Sequence, residues 1–239
     1  MKLRTIYDLG ANHGEDTARY LHYADKVISV EANPIIAEGL SHKFAAEIAA
    51  GRVELLNIGI WNTRGKLPFY RHNNDHWSSF DPNYGMREGG YEIIDIETVT
   101  FPDLVRAHGQ PDFLKIDIEG ADRHVIASLR ELETPPRWVS IENYGLPAIR
   151  DLSGLGYTRF KIVPQSRKAE WPAPEGELPY TTLDTGPPPW TCPGAWLNEE
   201  QALSVMDWFV QDEHDRHRGN PHEWYDVHAA LADAPHLQP

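Results

Sequence analysis

Short apolar runs alternate with amphipathic stretches of helical period along residues 1–163. That order predicts an α/β core, a mostly parallel sheet covered by helices. The strand candidates are "RTIYDL", "KVISVEA", "RVELLNIGI", "PDFLKIDI", "RWVSIEN" and "YTRFKIV". In "PIIAEGLSHKFAAEIAAG" the apolar Ile36, Leu40, Phe44 and Ile48 recur every four positions, with Pro34 at the start and Gly51 beyond the end. This predicts one amphipathic helix. In "ADRHVIASLREL", Val125, Ile126, Leu129 and Leu132 trace a single face until the pair Pro135 and Pro136 stops the pattern. Shorter helices are expected over "EDTARYLHYA", directly after a glycine turn, and over "LPAIRDLSGLG".

The alternation breaks at residues 66–97, which read as a hairpin, a polar loop and a further strand inserted after the third strand. Eight prolines between Pro164 and Pro193 are too many for a helix or a central strand, so an extended surface strap is expected there. "NEEQALSVMDWFV" follows, with Asn198 and Gln201 at capping-box spacing and a helix expected to about residue 211. The expected division is therefore a core of residues 1–163 and an extension, 164–239, of proline-rich strap and helical tail.

Composition narrows the class. A chain of 239 residues with 41% hydrophobic content is long enough for one large α/β domain with an extension. Its 22 basic and 36 acidic residues give a net charge of −14, which repels polyanions, so no nucleic-acid partner is expected. No apolar run approaches the roughly 20 residues of a membrane span, and "MKLRTIYDLG" has no signal-peptide core. A soluble, cytoplasmic protein with no membrane partner is expected. Cys192 is the single cysteine and reads as an ordinary, partly buried thiol.

The chemistry begins at "DLGANHG", residues 8–14. A strand, a glycine turn and a helix bring backbone N–H groups together, and glycine there keeps a Cβ from holding a ligand away from the backbone. The spacing is G-x-N-x-G rather than the G-x-G-x-x-G of nicotinamide-binding turns. Asp8 would face a pyrophosphate unfavourably but suits a ligand carrying an ammonium and a sulfonium. "VISVEANP" ends the second strand at Glu31, 23 residues after Asp8, where a carboxylate can accept from two vicinal ribose hydroxyls. Together the motifs point to an amino-acid-bearing nucleoside. The plainer reading is that Asp8 caps the next helix and Glu31 is a solvated strand end.

"FLKIDIEGAD", preceded by "ETVTFPDLVRAHGQPD" and joined by "LLNIGIWNTRGKLPFY" to the two upstream motifs, resembles the FkbM family of class I S-adenosylmethionine-dependent methyltransferases. The resemblance covers roughly residues 5–163. It implies a Rossmann-like, mostly parallel seven-stranded sheet with helices on both faces. It also implies S-adenosylmethionine as cofactor and methyl transfer to oxygen, commonly on a sugar or natural-product hydroxyl. By motif, Asp8, Gly10, Asn12 and Gly14 would hold the methionine part, Glu31 the ribose, and Asn57, Ile58 or Gly59 would flank the adenine. Asp117 and Glu119 would stand beside the transferable methyl. The tail "EWYDVHA" resembles tails of some FkbM-type sequences.

Asp8, Glu31, Asp117, Glu119 and Glu142 all fall at or just past predicted strand ends, where open parallel sheets bind ligands. An alcohol acceptor needs a base, or a metal that lowers its pKa. His228 is the first candidate base, against the alternative that it packs a tail helix. Asp117 and Glu142 could serve instead, or could together bind a divalent cation such as magnesium. His214, His217 and His222 match no zinc spacing and are expected on the surface. Lys115 shares a sheet face with Asp117 and either pairs with a site carboxylate or reaches past the edge to solvent.

Trp171, Trp190, Trp196, Trp208 and Trp224 crowd the last third. With "RHNNDHWSSF" they could form the acceptor pocket and lid, or they could glue the strap to the sheet. The expected partner is a small-molecule or sugar acceptor, and the chain could also act as a homodimer. An O-methyltransferase is the main reading. A nicotinamide-dependent oxidoreductase and a non-catalytic nucleoside-binding regulator are the alternatives, and methyl transfer to nitrogen or to a protein side chain stays open.

Overall fold

The computed structural model describes residues 2–142, 144–166, 168–181, 184–214 and 224–235, without the side chains of 209–214. The fold is the expected α/β one, with a mostly parallel seven-stranded sheet and helices. Contacts divide the chain into two units, Met1–Pro136 and Arg137–Pro239. The division follows the Pro135 and Pro136 pair rather than residue 163, so the last two strands expected for the core belong to the second unit.

The first unit holds β1 (Leu3–Leu9), β2 (Ala24–Val30), β3 (Val53–Leu56) and, later in the chain, β7 (Phe113–Ile116). They run parallel in the order β3-β2-β1-β7. β1 lies between β2 and β7 and is apolar along most of its length, because both faces are covered. Register sets Asp8 beside Ser29 on one side and Lys115 on the other. Three polar groups are thereby placed in a dry sheet.

Helix α1 (Glu15–Tyr20) follows the glycine turn, and α2 (Pro34–Lys43) starts behind Asn33, whose side chain accepts from the Ile35 N–H at 3.1 Å. The single helix expected over residues 34–50 breaks at Phe44 into α2 and α3 (Ala45–Ala49). Phe44 leaves helical geometry (φ −106°, ψ 24°) and its ring lies against Gly14.

The insertion forms a small sheet of β4 (Gly59–Ile60), β5 (Gly65–His72) and β6 (Tyr91–Val99), ordered β4-β6-β5, with the short helix α4 (Pro82–Gly85) between its last two strands. Helix α5 (Phe101–His108) opens with a capping box between Thr100 and Asp103. Helix α6 (Asp122–Ser128) buries Val125 and Ile126 and runs into a tight turn at Leu129–Glu131.

The second unit contains β8 (Trp138–Glu142), α7 (Leu146–Gly154), β9 (Tyr157–Pro164), α8 (Glu199–His214) and β10 (Tyr225–Leu231). The expected capping box of α8 is present: Asn198 N–H donates to Gln201 Oε1 at 3.0 Å and Gln201 N–H to Asn198 Oδ1 at 2.9 Å. Beyond it, the described residues of the tail form a strand, β10, and not a helix. β10 lies antiparallel between β8 and β9, and Asp226–Ala230 are all buried. A central strand covered on both faces loses the alternation that marks a strand in sequence. The His214, His217 and His222 side chains lie outside the described residues. No helix among the described residues is long and apolar enough to cross a membrane.

Candidate functional site

Glu31, just past the end of β2, organises the glycine turn. Its carboxylate is buried and accepts from the Asn12 N–H at 2.9 Å and the Asn33 N–H at 2.7 Å. Asn57 Nδ2 donates to the Glu31 and Ala32 carbonyls at 2.8 and 3.1 Å, so the end of β3 is tied to the same point. Burial pushes Glu31 up to about 7, against the pull of the two N–H donors. Glu31 is therefore no solvated strand end.

The turn itself is held from below. The Gly10 and Ala11 N–H groups both donate to the Val30 carbonyl at 3.0 Å, and Gly14 N–H donates to Ala11 O at 2.8 Å. Asn12 adopts φ +42°, uncommon for a residue with a side chain, and its Oδ1 is buried without a hydrogen-bond partner. This leaves one buried acceptor at the turn unsatisfied.

Asp8 takes a different part from the one expected. It is fully buried under the turn, where its Oδ2 accepts from Thr17 Oγ1 at 2.6 Å and its Oδ1 lies 3.3 Å from Lys115 Nζ. Thr17 Oγ1 is also 2.8 Å from Ser29 Oγ. Asp8 fastens helix α1 to β1 and β7 instead of facing a ligand.

Two of the turn's glycines serve packing as well. A Cβ on Gly14 would meet Phe44 and Leu40 side-chain atoms at 2.5 and 2.7 Å. One on Gly10 would meet backbone atoms of Asp117. In the direction of a Cβ, the space that glycine preserves at both positions is filled by protein. Gly59 likewise lies in β4 under the Phe80 ring, 2.2 Å from where its Cβ would stand, so it is covered and not open to an adenine.

Lys115 proves to be the paired kind. Its side chain is 3% exposed, donates to the Gly10 carbonyl at 2.8 Å, and faces Asp8, Asp117 and Asp16 at 3.3, 3.6 and 3.7 Å. Burial works against the ammonium, but the Asp8, Asp117 and Asp16 carboxylates outweigh it and raise its pKa above the ordinary lysine value.

The Asp117 side chain, 42% exposed, is the open member of this group. The backbone that follows is shaped by Asp122, a residue given no role from sequence, which accepts from the Ile118 and Gly120 N–H groups at 3.2 and 3.1 Å. Glu119 is thereby held at φ +49°, and its carbonyl accepts from Ser79 Oγ at 2.5 Å.

Residues 73–90 of the insertion reach the same strand ends. His76 Nδ1 lies 3.4 Å from Asn12 Nδ2, and His13 Nε2 lies 3.2 Å from Asp75 Oδ2. The loop is pinned at its base by His72, whose Nδ1 accepts from the Asn74 N–H at 2.8 Å while Nε2 faces the Arg87 and Gly89 carbonyls at 2.9 and 2.7 Å. No motif flagged His13, Asp75 or His76 individually, because loop contacts of this kind leave no periodic signal.

Glu142 and His228 belong to the second unit. Glu142 ends β8, half-buried. His228 sits in the middle of β10, opposite Ser140 of β8 and Lys161 of β9, with no exposure. Neither ring nitrogen makes a hydrogen bond of ordinary geometry, although the Pro187 backbone approaches. Burial and the nearby Lys161 push its pKa down to about 3. A ring sealed inside a sheet and held neutral has no route to an acceptor hydroxyl, so His228 is not the general base expected from the sequence.

A His228→Leu variant should consequently keep donor binding within about twofold of the parent and should not lose stability by more than about 1 kcal/mol, because it removes unpaired polar atoms. Calorimetry and urea unfolding check both. The ring's folded pKa lies below its unfolded one, so its contribution to stability is present above about 6.5 and lost as pH falls toward 3. The variant should lack that acid-side loss.

The strap is fastened within the second unit. Lys161 Nζ donates to the Cys192 and Pro189 carbonyls at 2.5 and 3.3 Å and lies 4.5 Å from the Trp196 ring centre, while the Trp138 and Trp190 rings are 5.0 Å apart. For Trp190 and Trp196 this is the gluing role. Burial pushes the Cys192 thiol up to about 12, in keeping with an inert side chain.

The family model of the methyltransferase FkbM domain matches residues 8–156, more than half of the chain. The chain belongs to the FkbM methyltransferase family. The FkbM domain is similar to a solved FkbM methyltransferase from Methylobacillus flagellatus KT, with 19% identity and a TM-score of 0.42, over 60% of this chain and 33% of that one. The chain thus spans about a third of that structure.

It is also similar to a precorrin-6y C5,15-methyltransferase from Geobacter metallireducens GS-15, with 12% identity and a TM-score of 0.46, over 97% of this chain and 82% of that one. A third solved structure, the StiE O-MT, is 9% identical with a TM-score of 0.44, over 97% of this chain and 69% of that one. No curated protein matches the sequence.

Proposed function

We propose that this FkbM domain transfers a methyl group from S-adenosylmethionine to a hydroxyl of a small molecule, sugar or natural product. The observation that carries the donor assignment is Glu31: a buried carboxylate at a strand end, bonded to the turn it faces, with lone pairs left on each oxygen for ribose hydroxyls. Asn12 Oδ1 would take the ammonium of the methionine part. The carboxylates of Asp8, Asp16 and Asp117 outnumber the Lys115 ammonium they surround, which favours a cationic ligand over a dinucleotide pyrophosphate.

When bound, the donor supplies a sulfonium-activated methyl. The protein's own task is to align the acceptor oxygen behind that methyl, exclude water and remove the hydroxyl proton. Asp117, open at the end of β7, and His13, oriented by Asp75, are the groups in the first unit suited to receive that proton. Glu119 stays proposed as a further acid of the acceptor side. A divalent cation on Asp117 would have to share its carboxylate with the Lys115 ammonium at 3.6 Å, which weighs against one there. The loop of residues 73–90 would border the acceptor.

Titration calorimetry with S-adenosylhomocysteine, with NAD as control, tests the reading. Heat from the homocysteine compound alone is the expected result. Binding of NAD in its place would sink it.

A further inference from the structure

We propose that Lys115 is a positioning residue that locks the glycine turn onto the Asp117 end of β7, and that donor affinity depends on this lock. The inference rests on the reading of the turn as the donor site. Its basis is that one ammonium reaches four groups in four segments of the chain: the Gly10 carbonyl in the turn, Asp8 on β1, Asp16 on α1 and Asp117 just beyond β7.

Strand pairing does not need this contact. β1 and β7 are joined by their own backbone ladder, in which Asp8 stands beside Lys115 and Leu9 beside Ile116. What the ladder leaves undefined is the carbonyl of Gly10, at φ +77°, and the rotamer of the half-open Asp117. Lys115 fixes both. A lysine suits the place because its three N–H donors diverge from a single point, whereas the planar fork of an arginine directs its donors toward one plane. The donor turn and the group beside the transferable methyl are thus set by one side chain that touches neither ligand.

A buried charge lacking its partner destabilises a fold, so Lys115→Met alone confounds stability with positioning. The charge-neutral pair Asp8→Asn with Lys115→Met removes that difficulty, and Asp8→Asn alone is its reference. S-adenosylhomocysteine is titrated into the parent and all three variants, with the thermal midpoint of each recorded. If Lys115 positions the turn, the double variant should bind about tenfold or more weakly than Asp8→Asn, at a midpoint close to it.

A lysine that only neutralises Asp8 predicts equal affinity for Asp8→Asn and the double variant, and that equality would overturn the proposal. Should the double variant not fold, the lysine is required for the fold and a separate positioning role is overturned as well. Failure of the parent itself to bind the homocysteine compound is a different outcome: it removes the donor reading, and the lock with it.

Discussion

Gly10→Ala should cost about 2–5 kcal/mol of folding stability, the largest loss expected of any single methyl addition in the turn. Two penalties combine. Gly10 lies at φ +77°, in the region where an L side chain costs about 1–2 kcal/mol. An added Cβ would also lie 1.8 Å from the Asp117 carbonyl oxygen and 2.8 Å from its carbon.

That neighbour is backbone and has little freedom to yield. The Asp117 N–H donates to the Leu9 carbonyl at 3.1 Å, and the Gly10 N–H donates to Val30 O at 3.0 Å, so parting the chains breaks the ladder on one side or the other. Gly51→Ala is the internal comparison, since Gly51 has a similar φ of +71° but nothing within 4 Å of its Cβ position. It should lose only about 1–2 kcal/mol. Urea unfolding at constant m-value measures both. Equal losses at the two sites would mean that backbone conformation alone, and not the approach of Asp117, makes glycine necessary at position 10.

The same contact shows what could and could not be read from the sequence. That a tight turn follows "RTIYDL" was legible, because glycine and asparagine are the residues that tolerate positive φ. What lies opposite Gly10 was not, since Asp117 is far away in sequence and only the β1–β7 register brings it there. Glu31 was placed correctly because strand length and spacing fix the end of β2.

Lys115 was left between two readings for a physical reason. A mid-strand lysine at an edge and one in a carboxylate nest have the same local pattern, and the order of strands decides which it is. His228 went wrong by a related route. "YDVHAAL" lacks the alternation of a half-exposed strand, so an imidazole in the middle of β10 was read as a base on the tail, or as packing a tail helix. Asp122 escaped notice because a carboxylate that satisfies local N–H groups and one that meets a ligand are written with the same letter.

Removing the carboxylate of Glu31 should have the largest effect on donor binding. In Glu31→Gln, one end of the amide can still accept from a backbone N–H, but its NH2 end turns a donor toward the other. The turn would lose its tie to either Asn12 or Asn33, and the ribose would lose a charged acceptor. Affinity for S-adenosylhomocysteine should fall on the order of 10–100-fold, in line with one or two hydrogen bonds to a charged group.

The pH dependence separates Glu31's two roles, because they run in opposite directions. Its folded pKa of about 7 lies above the ordinary 4.5, so the folded chain holds a proton there that the unfolded chain releases. The stability this contributes is fully present below about 4.5 and is lost as pH rises to about 7. Ribose hydroxyls, by contrast, donate best to the ionised carboxylate. Donor affinity should rise through the same window and level off above about 7.

Glu31→Gln should lack both trends, so that subtracting its profiles from those of the parent isolates them. If parent and variant instead gave parallel affinity profiles between pH 5 and pH 8, the Glu31 carboxylate would be bracing the turn without taking part in holding the nucleoside.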